Sequence, residues 1–326
     1  MTKFILKVSL FLITILAVQS CVNSKKVEPA TQAEKLGFEK GKKVLIIHAD
    51  DAGMCPEANR AIEKYLEKGE IKSTSVMMPC PAAEPMVEWA KKQSDIDLGI
   101  HLTLTSEWKS YRWGPVSDSA KVPGLIDPDG KFWHEVPGVV AHASAGEVET
   151  EIRAQIEKAK SLGWQPTHLD SHMGTLFGSP DYIEVYLKVS EEYNIPAAIV
   201  DFSDKKIVEF YQKMGYPIND EEVKLVENYK LPKLDFYTYV PKGATYEELK
   251  KSFFKMVKSL KPGLIQVFFH PSEYSANLKT ITNSWQQRVW EAELFSDPEV
   301  RDFLATEEVV ITNWIEVMEK FKAGKQ

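Results

Sequence analysis

The chain has 326 residues, 44% hydrophobic and 27% charged, with a formal net charge of −7. That length allows one large domain or two smaller ones, and the apolar fraction suffices for a sizeable core. Acidic and basic residues are interspersed, which excludes the basic stripe of a nucleic-acid-binding protein and the composition of an extended disordered chain.

The first predicted element is an export signal over residues 1–20. Lys3 and Lys7 precede an apolar run from Val8 to Val18, too short for a comfortable bilayer span. Cys21 follows directly, a layout that resembles a lipoprotein signal with Cys21 as the lipidated residue. An exported, membrane-anchored protein facing the periplasm or cell surface is therefore expected, touching the membrane through that anchor only. Residues 21–40 are polar and lack periodicity, and read as a tether. Export would permit a bridge between Cys55 and Cys80, but spacing does not bring their Cα atoms together, and two buried thiols are the preferred reading.

From Lys42 onward strand-like and helix-like stretches alternate. KVLIIHAD (43–50) is a buried-strand run, and a helix with Pro56 near its start and Gly69 at its end follows. Residues 73–78 read as a strand, 82–92 as a helix and 97–105 as a strand. Val148, Ile152, Ile156, Ala159 and Leu162 recur at helical spacing, and Gly163 stops that helix. THLDSHMG (167–174) precedes a helix over 181–193 and a strand over 196–202. Leu249, Phe253, Met256 and Leu260 mark another helix, followed by the strand GLIQVFFHP (263–271). VVITNW (309–314) leads into a last helix. Two stretches interrupt the rhythm, roughly 106–145 and 203–244. The alternation predicts an α/β fold, a divergent (β/α) barrel with mainly parallel strands and helices outside, forming one domain over 41–322.

Five of the seven histidines fall in or at the ends of predicted strands: His48, His101, His168, His172 and His270. Asp50, Asp51 and Asp170 sit among them. In a parallel fold all strand C-terminal ends gather on one face, so residues scattered in sequence become neighbours. Adjacent carboxylates repel, and a strand end has no folding reason to carry two. Asp50–Asp51 before Gly53 is also compatible with turn chemistry, and each histidine alone with a core role. Together they point to a metal or acid–base site. Imidazole and carboxylate donors suit Zn²⁺, Mg²⁺ or Mn²⁺. One aspartate of the pair would bind the ion and the other would act as base, with a histidine opposite as acid.

Four motifs resemble, in order, those of the YdjC-like carbohydrate deacetylases: VLIIHADDAG, LGIHLTLT, PTHLDSHMG and FFHPSEY. The resemblance implies hydrolysis of N-acetyl groups from amino sugars or oligosaccharides with one divalent ion, Mg²⁺ or Zn²⁺. Carried over by position, it makes Asp51, His101 and His172 the metal ligands, Asp50 the general base and His270 the general acid or oxyanion partner. Strand alternation would aim Asp50 and Asp51 in opposite directions. This chain has DSHMGTLF where many members continue DSHxHxH, and His48 where Asn is common. The aromatic stretch 106–114 suggests a subsite of its own, with Trp108, Arg112 and Trp113, together with Asp170, as expected substrate contacts. Expected partners are thus the sugar substrate and, in a homodimer, a second copy of the chain. The competing readings are another metal-dependent amidohydrolase or phosphoesterase, and a glycan-binding lipoprotein without catalysis.

Overall fold

The computed structural model describes residues 29–216 and 218–325, so the expected export signal and Cys21 lie outside the described residues. Among the described residues no helix is long and apolar enough to cross a membrane.

The strands are β1 (Lys43–Ala52), β2 (Ser73–Val76), β3 (Asp97–Leu102), β4 (Leu169–Ser171), β5 (Phe236–Tyr239), β6 (Gly263–Phe269) and β7 (Val310–Thr312). All pair in parallel in the order β4-β3-β2-β1-β6-β5. The first half of β1 pairs with β7 at Val44–Ile46, and its second half pairs with β2 from His48 onward. Helices between the strands cover the outer face, as parallel crossovers require. The result is the expected divergent (β/α) barrel.

The sheet curls so far that single bridges link β4 to β5's approach: Leu169 with Ala197, and Val200 with Leu234. Residues 196–202, expected as a strand, make only these bridges. Side-chain hydroxyls take backbone groups there: Tyr229 accepts from Ala197 N, Tyr186 from Ala198 N, and Ser190 donates to Ile195 O.

Other expectations are corrected. Part of the stretch read as a tether belongs to the domain. Gln32–Lys35 forms a helical turn capped by Thr31, Ala33 is buried, and Gln32 N donates to Asp235 Oδ1 at 2.8 Å. The stretch 203–244 holds helices Lys205–Lys213 and Asp220–Asn228 as well as β5. Between β6 and β7 lie three helices, Ala276–Ile281, Trp285–Leu294 and Pro298–Thr306. Cys55 and Cys80, by contrast, are the two buried free thiols that the sequence reading favours.

Strand register decides which side chains point into the barrel. Tyr239 pairs with Phe268, Phe268 with His48, His48 with Ser73, and Ser73 with Asp97. Paired residues share a face. Even positions of β1, β4 and β6, and odd positions of β2, β3 and β5, therefore face inward. That parity sends His48, Asp50, Ser75, His101, Asp170, Tyr237, Phe268 and the following His270 to one interior. The opposite parity feeds the outer core: Phe269 packs on Tyr65 and Phe295.

Candidate active site

The site sits at the C-terminal end of β1, where its alternation breaks. Pairing with β2 passes from Ala49–Thr74 to Ala52–Val76, three steps on β1 against two on β2, which is a β-bulge. Asp51 takes up the extra residue with φ of +65°. Aspartate is among the few residues that tolerate this left-handed conformation. The expected opposite aim of the two aspartates is thus corrected: the bulge turns Asp51 back, so that both acids approach His101. Gly53 at φ +80° makes the exit close, because a Cβ there would stand 2.8 Å from Ala83 Cα and Val76 Cγ2.

Asp51 Oδ1 lies 3.5 Å from both His101 Nε2 and His172 Nδ1. It is buried and has no hydrogen-bond partner. The far nitrogen of each histidine is held by a carboxylate: His101 Nδ1 by Asp170 Oδ1 at 2.7 Å, and His172 Nε2 by Glu107 Oε2 at 3.0 Å. Such carboxylate–imidazole pairs orient metal-binding histidines. The other oxygen of Asp51 accepts from Arg288 Nη2 at 2.7 Å. Arg288 comes from the helix Trp285–Leu294, is buried, and lies 5.6 Å from the ring centre of Trp108. An unpaired buried carboxylate oxygen between two imidazole nitrogens fits a divalent ion with nitrogen and oxygen ligands. Asp51, His101 and His172 would hold it.

Asp50 lies beside this group. Its Oδ1 is 3.2 Å from His48 Nε2 and its Oδ2 is 3.8 Å from His270 Nε2. His48 is fully buried, with Ser73 Oγ at 2.8 Å from Nδ1, and Ser75 Oγ at 3.0 Å and Asp170 Oδ2 at 2.9 Å from Nε2. His270 is the most open of the strand-end histidines, its side chain 34% exposed, and its backbone N donates to Glu291 Oε2.

The electrostatics follow from acid crowding. Burial pulls the His48 imidazolium down, but hydrogen bonds and charge from Asp170 and Asp50 outweigh it and push the group up to about 10. Burial likewise opposes charge on His172, yet the Glu107 charge and hydrogen bonds to Asp51 and Glu107 raise it to about 10. Burial works against the Asp51 carboxylate, while Arg288 and His172 hold it well below the usual range. Asp50, Asp51, Glu107 and Asp170 thus face one guanidinium, and His48, His101 and His172 are drawn toward their protonated forms. A bound cation would take over that task and displace protons from its imidazole ligands.

The structure brings together Asp50, Asp51, His101, His172 and His270 as the sequence suggests. Two expected substrate contacts are corrected. Asp170 is 1% exposed and lies behind His101, where it orients the ring. Arg112 binds its own loop: its Nη2 lies 2.8 Å from Asp127 Oδ2 and also donates to Phe132 O, while Nε donates to Ser106 O. Trp113 is buried, donates to Thr105 O, and presents its edge to His172 with ring centres 6.4 Å apart. Trp108 is half-buried between Trp113 and Arg288. Sequence reasoning missed Glu107, Arg288 and Glu291. The last two sit three residues apart on one helix and are both buried, and the only sequence hint is that spacing.

A parallel barrel with paired aspartates and clustered histidines at its strand ends has the layout of an active site, and the relatives of this chain place it among the carbohydrate deacetylases. A carbohydrate deacetylase of Thermus thermophilus is 32% identical over 274 residues, covering 83% of this chain and 93% of the relative. One from Thermoanaerobacter pseudethanolicus is 28% identical over 272 residues, covering 83% and 98%. A crystal structure from Enterococcus faecalis, described in terms of cellobiose-phosphate cleavage, superposes with a TM-score of 0.69 at 23% identity. It covers 85% of this chain and 99% of its own, and establishes the shared fold. The family model for YdjC-like proteins matches residues 44–306, and this chain belongs to that family.

Proposed function

We propose that this chain hydrolyses the N-acetyl group of an amino sugar or N-acetylated oligosaccharide with one divalent ion, Mg²⁺ or Zn²⁺. The observation that carries the reading is the buried, unpartnered Asp51 Oδ1 between His101 Nε2 and His172 Nδ1, with Asp50 and His270 alongside. When bound, the ion supplies Lewis acidity to the amide carbonyl and lowers the pKa of a water.

Asp50 accepts the proton of the water that attacks the carbonyl carbon; its Oδ1 is buried without a hydrogen-bond partner, 3.2 Å from His48 Nε2. The C–N bond then breaks, His270 gives a proton to the leaving sugar nitrogen, and acetate departs. His270 suits that part because it is the accessible imidazole at the mouth and Glu291 fixes its backbone. Arg288 keeps Asp51 ionised and turned.

Acetate release from a panel of N-acetylated sugars and oligosaccharides, with and without chelator, tests the reading. Metal-dependent acetate supports it, and metal-loaded protein that releases none from any glycan refutes it. The lipid anchor at Cys21 belongs to the same proposal, supported by the sequence pattern of residues 1–21. Incorporation of labelled fatty acid by the wild type and not by Cys21→Ser is expected, and label in neither would refute the anchor.

A further inference from the structure

The inward face of the barrel changes character between strands. β1, β3 and β4 present carboxylates and imidazoles, whereas the C-terminal ends of β5 and β6 present rings. Tyr237 and Phe268 stack with centroids 4.8 Å apart and planes 25° apart. Tyr239, one inward position nearer the mouth, lies 5.8 Å from Phe268, and Phe268 lies 5.7 Å from His270. The rings thus run without a break from His270 to the rim. Their exposure rises along the same path: Phe268 is half-buried, and Tyr239 is 45% exposed.

Folding does not account for an exposed tyrosine at an inward strand end. No hydrogen bond from the Tyr239 hydroxyl is seen among the described residues, so no polar partner explains its place. Trp113 and Arg112, on the opposite loop, are committed to that loop, and Trp108 beside Arg288 stays only half-buried there. Sugar rings have an apolar C–H face, and ligand sites combine such apolar walls with a few polar groups. An aromatic ring offers a large flat contact of this kind with little side-chain entropy to lose.

We infer that Tyr239 and Phe268 form a stacking subsite for the sugar ring next to the one that carries the N-acetyl group. The inference rests on the deacetylase reading for the position of the reacting group at His270 and Asp50. Phe268, next to His270, borders the reacting unit, and Tyr239, one ring further out, meets its neighbour. The platform therefore rewards oligosaccharides over the monosaccharide.

The test uses the full chain carrying Asp50→Asn, loaded with metal, and titrates N-acetylglucosamine and its dimer and trimer by calorimetry. Adding Tyr239→Ala should weaken dimer and trimer binding about tenfold, the upper range for one aromatic contact, and leave the monosaccharide unchanged. Tyr239→Phe should restore the oligosaccharide affinity, since the ring and not the hydroxyl stacks. In the active protein Tyr239→Ala should raise KM for the oligosaccharides and leave kcat within about twofold. Equal losses on monomer and oligomer, no loss on either, or no rescue by Phe would overturn the subsite, as would absence of binding by any glycan. Tyr239-dependent binding without acetate release from any sugar would retain the subsite and refute the deacetylase reading instead.

Discussion

The pocket is built from two unlike halves. On one side β1, β3, β4 and the residue after β4 supply Asp50, Asp51, His101, Asp170 and His172, which are nearly fully buried and tied to one another by short contacts. On the other, β5 and β6 supply Tyr237, Tyr239 and Phe268, stacked loosely and opening toward solvent. The polar half fixes where charge can sit. The aromatic half fixes what can be brought alongside it. Arg288 and Glu291, on the helix Trp285–Leu294 after β6, connect the halves, since one anchors Asp51 and the other anchors His270. Changes in the first half should therefore act on metal and turnover, and changes in the second on KM.

The largest effect is expected from Asp51→Ala or His172→Ala. Each should strip the ion and abolish acetate release while circular dichroism stays native, and undiminished metal content in either would remove that residue from the ligand set. Next comes Arg288→Met, which leaves Asp51 buried without its counter-charge. Metal-free protein should lose about 3–5 kcal/mol of stability by urea unfolding. Saturating metal should recover part of it, because the ion supplies positive charge to the same carboxylate. Unchanged stability in the metal-free variant would show that the ion pair is not what holds Asp51. Asp170→Asn should be milder, a loss of about 10–100-fold in metal affinity, as for other partners that orient a ligand histidine. A metal titration that finds no loss would make Asp170 a packing residue.

The smallest effect concerns pH. His48 titrates near 6.5 when unperturbed and is raised to about 10 in the folded chain. A raised imidazolium stabilises the fold fully below its unfolded value and loses that contribution as pH climbs through about 10. Chelator-treated protein should accordingly weaken between roughly pH 7 and 10, and His48→Gln should make that part of the profile shallower, with His172, also raised to about 10, supplying the rest. An equal slope in both proteins would assign the loss to another group.

Much of the polar half is legible in the sequence because strands carry it. KVLIIHAD and LGIHLTLT are apolar runs buried on both faces, and a period of two then dictates which residues meet. The bulge is not legible, since Asp51 takes a left-handed conformation where glycine would have signalled one. Nor is β5, four residues whose tyrosines read as loop aromatics until pairing with β6 aims them inward. Arg288 and Glu107 escape for a different reason. Their partners are more than sixty residues away, and only the closed barrel brings them together. Arg112 shows the converse, a charged residue in a suggestive aromatic stretch that folds back onto its own loop.

The division of labour between the paired aspartates is tested most directly by measuring metal content and acetate release on the same samples of Asp50→Asn and Asp51→Asn. The expected result is that Asp50→Asn keeps its ion and loses turnover by about a hundredfold or more, the contribution of a positioned general base, while Asp51→Asn loses both. An Asp50→Asn protein that has lost its metal, or an Asp51→Asn protein that keeps it and still turns over, would contradict the assignment.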